Sequence, residues 1–132
     1  MGGDPLVSSV ADTAGTITTT TDRLGRVVAY SDVWGKTSTA TYNQGGELVA
    51  ASTPAGAYTY TYTAGLAVDT VALNGKTISD GVFDSLDRLT AVSYPTGTNG
   101  GGNGTSGVFS ADEWGRPVET RWNQPGGSVT HL

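Results

Sequence analysis

Thr21-Asp22-Arg23-Leu24-Gly25-Arg26-Val27 is followed by Ser31-Asp32-Val33-Trp34-Gly35-Lys36-Thr37, and then by Tyr42-Asn43-Gln44-Gly45-Gly46-Glu47-Leu48. Each stretch has Asp or Asn, two variable residues, Gly, and then a charged residue. The frame returns as Phe83-Asp84-Ser85-Leu86-Asp87-Arg88-Leu89, with Asp87 in the glycine place. It returns again as Ala111-Asp112-Glu113-Trp114-Gly115-Arg116-Pro117 and as Trp122-Asn123-Gln124-Pro125-Gly126-Gly127. Weaker copies are Val10-Ala11-Asp12-Thr13-Ala14-Gly15, Tyr62-Thr63-Ala64-Gly65 and Leu73-Asn74-Gly75-Lys76. A frame that recurs about every ten residues marks a repeat architecture.

The chemistry of the frame is that of a hairpin turn. Asp22, Asp32, Asn43, Asp84, Asp112 and Asn123 open it, because a short carboxylate or amide bonds the backbone just ahead. Gly25, Gly35, Gly46 and Gly115 then take positive φ and form the bulge that starts the next strand. Between the turns the chain alternates. Tyr58-Thr59-Tyr60-Thr61-Tyr62-Thr63 puts tyrosines on one face and threonines on the other. Thr16–Thr21 and Thr37–Tyr42 are rich in β-branched residues and of strand length. The spacing predicts an all-β chain, an antiparallel meander of hairpins in a curled sheet, as one repeat segment over residues 1–132.

One segment has a helical spacing. Phe83, Leu86 and Leu89 recur by threes, and Ser79-Asp80 would cap a helix. The same residues fit the turn frame, and Asp tolerates the left-handed region better than most, so a hairpin is predicted. Residues 97–107, rich in Gly and Asn, read as a flexible loop inserted between two hairpins.

Composition agrees with strands and turns. Charged residues are 14% of the chain and glycines number 20, which suits neither a disordered chain nor a helical bundle. The net charge of −5 and scattered Lys and Arg argue against nucleic acid as a partner. No apolar run is long enough to insert in a membrane as a helix. Without cysteine there are no disulfides or thiolate metal sites. Met1-Gly2-Gly3 starts no recognisable signal peptide.

Aromatic-Asp-x-x-Gly-Arg-Leu/Val, as in residues 21–27 and 83–89, resembles the YD repeat of RHS proteins. The resemblance runs from about Val10 to Gly127, with Thr, Ala or Trp often in place of the leading Tyr. It implies a large β-shell whose sheets spiral into a hollow cocoon. In bacterial polymorphic toxins the cocoon encloses a toxic C-terminal domain, and in teneurins it belongs to a cell-surface receptor. The implied partners are flanking repeats and the C-terminal domain of the same parent protein, and the implied location is secreted or surface-delivered. The self-cleaving corner of that family is not visible; Asp4-Pro5 lies at the wrong end. Physical reasoning agrees, since open twisted sheets rarely exceed about ten strands without curling or splitting.

No catalytic, cofactor or metal site is expected. Gly102-Asn103-Gly104-Thr105-Ser106-Gly107 matches a dinucleotide loop in letters but leads into a strand, not a helix. Gly35-Lys36-Thr37 and Gly75-Lys76-Thr77 lack the first glycine of a phosphate loop. His131, the sole histidine, sits beside the terminus. Acids that recur at every turn have a turn role, whereas a catalytic pair would be expected once. Tyr58, Tyr60, Tyr62, Trp114 and Trp122 carry the alternative function: an exposed aromatic face that stacks carbohydrate, against the reading that they fill a packed face.

Overall fold

A computed structural model describes residues 6–131; Met1–Pro5, including Met1-Gly2-Gly3 and Asp4-Pro5, and Leu132 lie outside the described residues. The described chain is all β, with no helix. Its strands are β1 (Leu6–Asp12), β2 (Gly15–Thr21), β3 (Val27–Ser31), β4 (Thr37–Tyr42), β5 (Leu48–Thr53) and β6 (Gly56–Tyr62). They continue as β7 (Val68–Leu73), β8 (Lys76–Phe83), β9 (Leu89–Ser93), β10 (Ser106–Ala111), β11 (Pro117–Gln124) and β12 (Gly127–His131). All twelve are hydrogen-bonded neighbours in chain order, so the meander has no crossover. Phe83–Leu89 is a hairpin and not a helix.

The chain divides between Tyr58 and Thr59 into two compact units, where the repeat pattern alone reads as a single segment. In the first unit, Ser9↔Thr18 and Val10↔Ile17 set the β1–β2 register, and Ala29↔Thr39 and Ser31↔Thr37 set β3–β4. In the second, Val82↔Ala91 sets β8–β9, Ser106↔Ser93 and Val108↔Ala91 set β9–β10, and Gly107↔Trp122 lies within β10–β11.

Antiparallel alternation sends successive turns to opposite ends of the strands. In the first unit the turns opened by Asp22 and Asn43 share one end. In the second, those opened by Thr63, Asp84 and Asp112 share one end. The register slips by one residue beside the turns at Asp22, Asn43, Asp84 and Asp112, the mark of a bulge. Most opposite ends close differently: Asn74-Gly75 is a two-residue turn with φ of 52° and 77°, and Pro125-Gly126 is another, with Gly126 at 103°. The repeat is therefore a two-strand hairpin of about twenty residues rather than a single strand of ten.

Two frames move. In the weaker copy Tyr62-Thr63-Ala64-Gly65, Thr63 opens the turn and Leu66 rather than Gly65 takes the left-handed place at φ 70°. Asn123 lies in β11 opposite Ser128, because Pro125 and Gly126 make a tighter turn one step later. Pro presets the first turn angle and Gly the second, and this pair outcompetes Asn123.

The glycine-rich insertion is bonded in place. Thr77 and Gly100 form a parallel bridge, in which Gly101 N–H donates to the Thr77 carbonyl at 2.8 Å. Gly102 donates to Pro95 at 2.6 Å and Gly104 to Tyr94 at 2.7 Å. Cβ atoms at Gly100 and Gly102 would run into the backbones of Pro95 and Tyr94, so these glycines allow a close backbone approach that composition alone reads as looseness. Ser106 and Gly107, expected in the loop, begin β10.

No apolar side chain is buried among the described residues. β1 and β12 are exposed throughout and the faces between them are partly covered; Leu24, Trp34, Leu86 and Trp114, each more than two-thirds exposed, all stand third in a turn frame.

Candidate functional site

The recurrent turn is the best-built feature of the chain. At Asp22, Oδ1 accepts from the amides of Leu24 at 2.9 Å and Arg26 at 3.0 Å, and Oδ2 accepts from Arg26 Nε at 2.6 Å. Asp84 repeats this with Leu86 and Arg88, and Asp112 with Trp114 and Arg116. In each, the turn closes with the glycine-position amide donating to the opener's carbonyl, at 3.0, 3.0 and 2.9 Å. Asp32 bonds Trp34 and Lys36 through one oxygen, and Asn43 does so uncharged with Glu47. Gly25, Gly35, Gly46 and Gly115 have φ of 78°, 75°, 94° and 80°, and Asp87 fills the same place at 60°.

These bonds depress the acids. Amides and guanidinium of Arg88 and Arg116 hold the Asp84 and Asp112 carboxyls below the usual carboxylate range, against a smaller push upward from burial. Burial is the largest single influence on Asp22 and pushes it up, but the Arg26 and Leu24 bonds together outweigh it.

Arg26 and Arg88, each placed after the left-handed residue of its turn, reach the next hairpin, a role their recurrence in sequence did not reveal. The Arg26 guanidinium stacks 4.5 Å from the centroid of the Tyr42 ring, and Tyr42 donates its hydroxyl to the Val27 carbonyl at 3.2 Å. Its Nη1 lies over Gly46, 3.5 Å from where a Cβ would stand. In the second unit Arg88 Nη1 lies over Gly115, only 2.8 Å from such a Cβ. The glycine thus serves twice, for positive φ and as a floor for the preceding arginine. Between these, the Thr63 turn carries Ala67 in place of an arginine. The next glycine place is then Asp87, whose carboxylate accepts from Thr63 Oγ1 at 2.9 Å. The sequence signal was present as an opposite charge four residues after each opening Asp.

The aromatic residues are not assembled into one row. Tyr58, Tyr60 and Tyr62 share the half-covered face of β6, with Thr59 and Thr61 exposed. Trp122 is half-covered in β11, edge-on to Phe109 at 5.7 Å and 81°, with Gly107 beneath it. Trp114 is at a turn tip, 72% exposed, with the Arg116 guanidinium 5.1 Å from its ring. His131 is the last residue of β12 and is exposed. Among the described residues no group of His, Cys, Asp and Glu stands close enough together to hold a metal ion.

No protein-family model matches this chain, and no curated relative matches it.

Proposed function

We propose that the chain is a non-catalytic run of RHS-type YD repeats, a structural part of a larger β-shell. In this reading the shell encloses or presents a C-terminal toxin domain of a secreted or surface-delivered bacterial protein. Flanking repeats of the same parent protein are its partners.

The observation that carries this reading is a regular meander with no buried apolar side chain among the described residues. Its Asp22, Asp84 and Asp112 turns nonetheless repeat one set of bonds. Covering a large apolar side chain is worth roughly 1.5–3 kcal/mol. Sheets that leave Leu6, Val10, Trp34 and Trp114 more than two-thirds exposed are suited to being covered by neighbours. Turns that hand an arginine to the next hairpin suit indefinite extension. The carbohydrate alternative asks for aromatic faces side by side, and Tyr60 and Trp122 stand five strands apart.

Reading the gene on both sides of this segment tests the proposal. Further Asp-x-x-Gly-Arg frames and a C-terminal domain of different composition are expected. Neighbouring sequence without the frame would overturn it.

A further inference from the structure

The hairpins repeat one arrangement twice, and one copy lacks a ring. Continuing the β3–β4 register toward the turn sets Arg26 opposite Tyr42. Continuing the β9–β10 register sets Arg88 opposite Ala111. The two positions correspond throughout: each arginine follows its turn by the same step, is bonded through Nε to its opening aspartate, and lies over the next turn's glycine. In the first unit the Tyr42 ring occupies the space against the guanidinium. In the second unit a methyl group stands there instead. A groove of about 430 Å³ opens at that point, lined by Arg88, Leu89, Phe109, Ala111 and Pro117 among others.

We propose that this groove is a binding site for a phenol-type ring carried by a ligand. The size suits a small aromatic molecule. The Arg88 guanidinium offers a cation to the ring face, as Arg26 does to Tyr42. Leu89, Phe109 and Pro117 supply apolar walls. The hydroxyl has an acceptor as well. Tyr42 donates to the carbonyl of Val27, the residue after Arg26, and the equivalent carbonyl is that of Leu89, on the groove wall. The site therefore prefers a phenol to a bare aryl ring.

The test is an NMR titration of the whole chain with p-cresol, following the backbone amides of Leu89 and Gly115 and the Arg88 Nε–H. Saturable shifts at these groups are expected. Toluene, without the hydroxyl, is expected to bind about threefold to tenfold more weakly. Ala111→Tyr supplies the ring from within, so it should abolish the p-cresol shifts and raise the melting temperature. Ala111→Leu, a smaller filling of the same space, should weaken binding and decides the matter if the tyrosine variant does not fold. A peptide bearing one tyrosine, titrated in parallel, separates the sources. Tighter binding of the peptide assigns the groove to a tyrosine of a polypeptide partner, and tighter binding of p-cresol assigns it to free phenols. Absence of saturable shifts, or shifts that persist unchanged in both variants, would overturn the proposal.

Discussion

Arg26 lies with its guanidinium 4.5 Å from the centre of the Tyr42 ring while its Nε holds Asp22, so one side chain fastens its own turn and the following hairpin together. The pair is partly shielded, the arginine side chain being 30% exposed. Contacts of this kind are worth about 0.5–2 kcal/mol. Arg26→Gln is expected to destabilise the chain by about 1 kcal/mol. Arg26→Lys should not restore the loss, since lysine has no planar fork to stack and bond at once. A urea-denaturation cycle with Tyr42→Leu checks this; a coupling energy near zero would show that the stacking contributes nothing.

Gly35 and Gly115 share a positive φ but not their surroundings. A Cβ at Gly35 meets nothing within 4 Å, whereas at Gly115 it would press on Arg88 Nη1. Gly35→Ala should cost the backbone term alone, about 1–2 kcal/mol. Gly115→Ala should cost more, and the excess should vanish when Arg88 is first replaced by Ala. Equal costs in the presence of Arg88 would refute the double role of this glycine.

Leu66 holds φ 70°, a conformation that disfavours a branched side chain, and is 62% exposed. The hydrogen bond its backbone N–H donates to the Thr63 carbonyl survives any replacement but proline. Leu66→Asn or Leu66→Gly is expected to stabilise the fold by up to about 1 kcal/mol, because neither residue is strained there. Thermal melts of the variants check it.

Acid should loosen the turns. The folded carboxyls of Asp22, Asp84 and Asp112 sit below their unfolded values, so near those values the unfolded chain binds more protons than the native one. Their contribution is complete above the unfolded value, about pH 4, and is lost as pH falls through the lower folded value. Urea midpoints should thus be flat from neutral pH to about pH 5 and fall below about pH 4. Replacing all three by Asn, which Asn43 shows can still accept the turn amide, should flatten the acid decline. An unchanged decline would move its origin elsewhere.

The insertion between β9 and β10 gives a contrast visible by hydrogen exchange. Amides of Gly101, Gly102 and Gly104 donate to Thr77, Pro95 and Tyr94, and should exchange more slowly than the unbonded amides of a free loop. Gly102→Val, whose Cβ would meet the Tyr94 backbone, should abolish that protection. Fast exchange in the unaltered chain would contradict the bonded loop.

The turns and strands were legible because their causes are local. Asp22 and Gly25 form a turn through atoms a few residues apart, and alternation in β6 follows from the two-residue period of a strand. Even Asp87 in a glycine place could be read, since the tolerance of aspartate for positive φ belongs to the residue itself. The competition at Asn123 was harder: two local turns overlapped, and the tighter Pro125-Gly126 pair won. The order of the 97–107 loop is hidden in the sequence for another reason. Gly100 and Gly102 look like freedom in a sequence, but where backbones meet they are the residues that permit contact.

Strand periods, turn chemistry and the all-β class follow from the order of residues alone, each through interactions among near neighbours in the chain. Strand pairing in three dimensions adds that the repeat is a two-strand hairpin, that Arg26 and Arg88 reach across to Gly46 and Gly115, and that Ala111 borders a groove where, in the first unit, the Tyr42 ring stands against the guanidinium. Those contacts depend on the register between the neighbouring strands β3 and β4, and β9 and β10. A shift of one residue would turn every side chain to the opposite face, so pairing, not composition, places them.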